Sequence, residues 1–336
     1  MLKASVLDYV LSPPGVSAHE ALTEAVRSAV LVEQLGYERL WFSEHHNSAG
    51  LACSAPELII ARVAAETSRL RVGAGGIMLP NHAPLKVAEL FHTLEALYPG
   101  RIDLGLGRAP GTDGATAMAL RGSRRAVVQV DFDSLAEELF GFLDNSFPLG
   151  HPLADIVASP AVPAPPQVWM LGSSDYGATY AAAHGLPFSF AQQINPDAAV
   201  AMLRRYRDTF RPSERAATPY SSFSVVAFAS DDDEESEDFA AYWALTMTKL
   251  RSNVRTPTSL DEARAFRTGE RYASIRAAMA DRLFTGTPDE VGARVRAVAE
   301  QARADEVVLA VPMPDPLLRH KALRLLATEF ALPAGG

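Results

Sequence analysis

A single cysteine, Cys53, stands in 336 residues. The chain therefore forms no internal disulfide and no cysteine-built zinc or cluster site. No nucleophile signature surrounds Cys53, so it reads as a buried bystander. No apolar run reaches the 18 residues of a membrane span. The opening MLKASVLDYVL is too short for a secretion signal and lacks its small-residue cleavage pattern. The expected location is the cytoplasm. A net charge of −9 argues against a nucleic-acid groove or an anionic membrane surface as partner. No His-x-x-x-His spacing occurs, which disfavours a metal hydrolase. The glycine-rich stretch DLGLGRAPG is not a dinucleotide fingerprint, because Pro110 stands where the third glycine belongs.

What is present is alternation. Short apolar runs at 3–9, 39–43, 70–78, 101–105, 167–171, 188–192, 222–229 and 306–311 are separated by helix-period segments. Such βα alternation predicts a parallel sheet, and eight units predict a closed (β/α)8 TIM barrel, an α/β fold, as one domain over 1–336. Helix starts are marked. Ser17-Ala18-His19-Glu20 is a capping box, Thr287-Pro288-Asp289-Glu290 gives a cap, a starting proline and two acids, and Ser54, Asn195-Pro196 and Asp315-Pro316 mark further starts. The acidic run 231–238 reads as a helix start favoured by the dipole. Two connections exceed one helix, so insertions are expected after strands 4 and 7. Part of the second, at 250–271, is expected to act as a lid.

In a parallel barrel, chemistry gathers at the C-terminal strand ends. Strand 2 ends in Glu44-His45-His46-Asn47. Adjacent residues in extended chain point apart, so the two histidines do not share a metal. One facing the mouth would handle a proton near neutral pH, or both would satisfy buried polar groups. Strand 3 carries Gly73, Gly75 and Gly76, where either a flat ligand approaches the main chain or a bulge packs. Arg108 ends strand 4, as an anion partner or a surface ion pair. Gly172-Ser173-Ser174-Asp175-Tyr176-Gly177 begins a helix, as a phosphate cradle or a plain cap.

Together these pieces resemble the bacterial-luciferase-like flavin-dependent monooxygenases over nearly the whole chain, from Ser5 to about Ala327. The resemblance rests on the strand end 41–46, on GAGGIMLPNHAP, on RIDLGLGRAPG and on 171–187. It implies a barrel that oxygenates a small organic substrate with reduced FMN and O2 through a peroxyflavin. A deazaflavin-dependent hydride-transfer enzyme and a non-catalytic flavin-binding protein are the alternatives. His45 would be the acid/base group, with Glu44 its interior polar partner. Gly75–Gly76 would be a non-prolyl cis bond under the flavin ring. Arg108 would meet the phosphate, joined by a second arginine among Arg121, Arg124 and Arg125, of which Arg125 is the choice, with Ser173, Ser174, Tyr176 and Gly177 as the phosphate loop and Gln192 near the ring. Asn47 replaces an aromatic residue of the luciferases, which argues against a long-chain aldehyde pocket and light emission. The implied partners are a separate NAD(P)H-dependent flavin reductase and a second copy of the chain, in a homodimer formed by the helices after strands 2 and 3.

Overall fold

The computed structural model describes residues 2–109, 111–122 and 131–333. Eight parallel strands close into a barrel: β1 (Lys3–Asp8), β2 (Arg39–Phe42), β3 (Arg71–Met78), β4 (Ile102–Gly107), β5 (Gln167–Gly172), β6 (Phe188–Ala191), β7 (Ser221–Ala229) and β9 (Glu306–Ala310). Pairing of β6 with β7 and of β9 with both β7 and β1 completes the ring. Strands β2, β4, β7 and β9 are buried at every position. Helices cover the outside and side chains fill the inside, so these strands read as continuous apolar runs.

A further strand, β8 (Leu283–Gly286), was not expected. It lies within the insertion after β7 and pairs with Val226–Ala229. The other half of β7, from Ser222 to Val226, pairs with β9. Its Leu-Phe-Thr-Gly run holds only two large apolar residues, so it does not stand out from the helical segments around it.

Among the described residues the α-helices are α1 (Ala18–Gln34), α2 (Pro56–Glu66), α3 (Pro84–Leu97), α4 (Gly114–Arg121), α5 (Phe132–Asp144), α6 (Asp175–His184), α7 (Pro196–Thr209), α8 (Asp233–Arg251), α9 (Leu260–Arg267), α10 (Tyr272–Ala278), α11 (Pro288–Ala302) and α12 (Pro316–Glu329). Capping boxes start α1 at Ser17 and α11 at Thr287, as the sequence predicts, and Asp232 and Asp315 cap α8 and α12. The starts at Asn195-Pro196 and Asp315-Pro316 fall where expected, and one expected cap fails. Ser54 falls one residue early, so Ala55 precedes α2 and Pro56 alone marks the start. Asn195 precedes α7 but turns its amide to the Ser173 carbonyl at 3.0 Å. No helix among the described residues is long and apolar enough to cross a membrane.

A charged layer crosses the barrel interior. Arg39 donates through Nη1 to Asp103 Oδ2 at 2.7 Å and through Nε to Glu306 Oε1 at 2.8 Å. Trp41 Nε1 donates to Asp103 at 3.0 Å, and Tyr220 Oη to Glu306 at 2.8 Å. Burial disfavours the Arg39 charge, but Asp103 and Glu306 outweigh it and fix the guanidinium as a cation. The guanidinium lies 4.8 Å from the Trp169 ring centroid, and Trp41 meets Trp169 edge-on at 5.0 Å.

Candidate active site

The strand-end glycines answer to packing as well as to any ligand. A Cβ on Gly73 would sit 2.3 Å from the Asp103 carbonyl, and one on Gly75 would sit 2.9 Å from Trp41 Cβ. The close β4 main chain thus requires glycine at 73, and the Trp41 side chain requires it at 75. Between them the Gly75–Gly76 peptide is cis, and the β3–β4 register shifts between Ala74 and Ile77. The strand rejoins β4 at Ile77 and Met78.

Beside this bend the β2 end divides its three ionisable groups. Glu44 is buried. Its Oε1 accepts from His46 Nε2 at 2.7 Å and from His82 Nε2 at 2.8 Å, and its Oε2 accepts the Met78 N–H at 2.8 Å. Burial pushes this carboxyl upward, but the His82 bond and the further donors outweigh it and hold the group below the usual range. His45 takes the other direction. Its Nδ1 lies 3.3 Å from the Gly111 carbonyl. Burial lowers its pKa from the ordinary imidazole value, so the ring is neutral at pH 7. A carbonyl can only accept, so the Gly111 contact places the proton on Nδ1 and leaves Nε2 as an acceptor. The adjacent histidines therefore serve different partners, as alternation in extended chain requires. No group of metal-binding side chains occurs among the described residues.

Two rings stand near His45. Tyr9, just past β1, lies 6.1 Å from it between centroids, and Trp243 of α8 stacks on Tyr9 at 6.2 Å. Burial pushes the Tyr9 hydroxyl up to about 12, so this wall is uncharged near neutral pH. Cys53 lies beneath, 3.4 Å from Ser43 Oγ, and burial pushes its thiol up to about 11. That makes it a poor nucleophile, and it is buried as expected.

Across the mouth, Arg108 and the start of α6 come together. The exposed Arg108 guanidinium lies 4.0 Å from the Tyr176 ring centroid. Among the described residues it has no carboxylate partner. Tyr176 is the second residue of α6, and its hydroxyl donates to Asp133 of α5. Ser174 precedes α6 in extended conformation without a side-chain cap, so the first-turn amides are left for another acceptor. The one acid in that turn, Asp175, is paired with Arg205. Gly177 is buried, and a Cβ there would press Phe188 at 3.2 Å. Gln192 is buried at the β6 end. Its Nε2 donates to the Asp281 carbonyl at 2.7 Å, and its Oε1 finds no partner among the described residues. Arg125 lies outside the described residues.

The structure thus brings His45, Glu44, Gly75 and Gly76 to one side of the mouth, and Arg108, Ser173, Ser174, Tyr176 and Gly177 to another. The sequence reading passed over His82, Tyr9 and Trp243. Tyr9 follows strand 1 directly, so the strand-end rule reaches it. His82 lies within the GAGGIMLPNHAP segment. Nothing in the sequence pattern brings Trp243, on an insertion helix, to Tyr9. A cavity of about 360 Å³ lies elsewhere, between α1 and α12, lined by residues including Leu11, Val16, His19 and Arg319. It touches none of the strand-end groups, and the convergent donors mark the mouth as the better candidate site.

A closed parallel barrel with polar groups gathered at its strand ends is the architecture of a barrel enzyme. The family model described as luciferase-like monooxygenase matches residues 4–306, and the chain belongs to that family. A luciferase-like monooxygenase of Escherichia coli K12 is 37% identical over 98% of this chain and 95% of its own length. The N-acetyl-S-alkylcysteine monooxygenase of Bacillus subtilis strain 168 is 32% identical over 97% of this chain and 98% of its own. The crystal structure of apo-MsnO8 superposes with a TM-score of 0.90 at 34% identity, covering 99% of this chain and 98% of that one.

Proposed function

We propose that the protein is a monooxygenase that binds reduced FMN at the barrel mouth and uses O2 to oxygenate a small organic substrate. The family uses flavins, FMN or F420. The observation that carries the reading is the meeting of Arg108, unpaired by any described acid, with the uncapped start of α6. Free amides at a helix start and a guanidinium together suit a phosphate dianion. The unsatisfied Gln192 Oε1 offers an acceptor to a ring N–H. These residues fit a phosphate-bearing flavin.

When bound in its reduced form, the flavin supplies the electrons that make dioxygen reactive. Arg108 and the α6 amides would anchor the phosphate and so fix the register of the ring. His45 would hold or take a proton at Nε2, the atom left open by its Gly111 bond. Tyr9 and Trp243 would exclude water from that atom with an uncharged wall. The 250–271 segment would close the mouth, through the Arg255–Asp113 ion pair. No nicotinamide fingerprint is present in the sequence, so a separate reductase would deliver the reduced flavin. Exposed Leu58 on α2 and Leu97 at the end of α3 support a homodimer through those helices.

An anaerobic titration with reduced FMN and with reduced deazaflavin, followed by oxygen uptake, tests the reading. FMN binding with oxygen uptake, weakened in an Arg108→Ala, Ser174→Gly double variant, is expected. Selective deazaflavin binding without oxygen uptake would replace the oxygenase with a hydride-transfer enzyme. Binding of neither would overturn both.

A further inference from the structure

Glu44 accepts three hydrogen bonds at the mouth, yet none of them comes from His45. Its carboxylate instead joins three pieces of backbone. It belongs to the β2 end, it accepts the N–H of Met78 two residues past the cis bond, and it accepts from His82, which follows the single turn Leu79–Asn81. Oε1 takes both imidazole donors and Oε2 takes the main-chain donor, so both oxygens are engaged. We propose that Glu44 is a positioning residue, with His82 its partner: this clasp holds the Gly75–Gly76 bend and the His45 ring facing one common space. The proposal rests on the flavin reading of the mouth for its consequence, and on the carboxylate's hydrogen bonds for its existence.

The chemistry suits a clasp better than a proton carrier. A carboxylate held below its usual range by several donors is a weak base. His82 is the complement. Its hydrogen bond to Glu44 raises its pKa, burial opposes this, and Glu57 of α2 adds to the rise. Other ionisable groups nearby are His46 on the same carboxylate and Arg121 of α4, whose Nε donates to Asn81 Oδ1 at 3.0 Å. The His82 side chain is 34% exposed and that of Glu44 1%, so the solvent-facing partner can be varied without opening the core.

The test uses four proteins: wild type, Glu44→Gln, His82→Gln and His82→Leu. In the flavin-free protein, proton NMR of the histidine rings should show His82 titrating above the ordinary imidazole value in wild type and back near it in Glu44→Gln. FMN affinity, read by quenching of its fluorescence, should fall about tenfold in Glu44→Gln and in His82→Leu, the effect of losing one hydrogen bond to a charged group. His82→Gln keeps a side-chain N–H donor and should stay within about twofold of wild type. Equal affinity in all four proteins would overturn the proposal, as would equal loss in the two His82 variants. The His82 pair decides the matter if Glu44→Gln fails to fold. Failure of wild type to bind either coenzyme would overturn the flavin reading, and the NMR titration would still decide whether the Glu44–His82 clasp exists.

Discussion

Asp113 and Arg255 form an ion pair at 3.1 Å across 142 positions of sequence. Asp113 follows β4, and Arg255 lies between α8 and α9. The Asn47 amide, just past the two histidines, donates to the same Oδ2 at 3.1 Å and to Thr116 Oγ1 at 2.8 Å. The segments after β2 and β4 and the insertion after β7 are thus tied at one point on the rim.

Arg255→Ala should loosen this tie without weakening the barrel. Both partners are partly exposed and screened by solvent, so the pair adds only a small amount to stability. Unfolding by urea should shift by no more than that, while amide exchange over residues 252–258 should quicken. Unchanged exchange in that segment would show that the pair holds nothing.

Arg39→Met should behave in the opposite way. It leaves the Asp103 and Glu306 carboxylates inside the barrel, and Glu306 then has no cation within hydrogen-bonding reach among the described residues. Breaking a buried pair from one side costs about 3–5 kcal/mol. Urea denaturation should register a loss of that order. A loss under about 1 kcal/mol would mean that water or a rearrangement satisfies the acids.

Gly105→Ala and Gly114→Ala separate packing from chain entropy. A Cβ at Gly105 would lie 2.3 Å from the Ala74 carbonyl, whereas one at Gly114 meets nothing within 4 Å. Overpacking at Gly105 should destabilise by about 1–3 kcal/mol. Gly114 opens α4 with a backbone alanine can adopt, so the substitution should stabilise by about 0.4–1 kcal/mol by restricting the unfolded chain. Thermal melts of the two variants should move in opposite directions.

His45 sets a pH dependence of stability. Its folded-state pKa lies below the ordinary imidazole value of 6.5. The unfolded chain therefore binds the proton first as pH falls. The contribution is fully present above about pH 6.5 and is lost as pH drops toward the folded value. His45→Asn should flatten the urea-midpoint profile below pH 6.5 and leave it unchanged above. A profile as steep as wild type would assign the slope to other groups, first His320, whose imidazole is also held below its ordinary value by burial.

The eight barrel strands were legible because each is a short apolar run set between helix signals, and a strand buried on both faces needs no alternation. The caps at Ser17 and Thr287 were legible because a capping box is local chemistry. Ser54 misled because a cap depends on one-residue register, which composition does not resolve. At the mouth, the separation of His45 from His46 followed from strand geometry. The Glu44–His82 contact did not, because it spans 38 positions and depends on how β3 bends beside β2. Trp243 reaches Tyr9 only through the placement of α8, which is a property of the closed fold.

The divided pairing of β7 bears on how the protein can be cut and rebuilt. From Val226 to Ala229 its backbone is hydrogen-bonded to β8, a strand supplied by the insertion itself. Excising 233–286 to obtain a minimal barrel would strip those four residues of that neighbour. They would become a fully apolar Val-Ala-Phe-Ala edge, the kind of open template on which chains add to one another. A trimmed barrel should therefore aggregate through this rim, and a transplanted insertion should carry β8 with it to remain soluble.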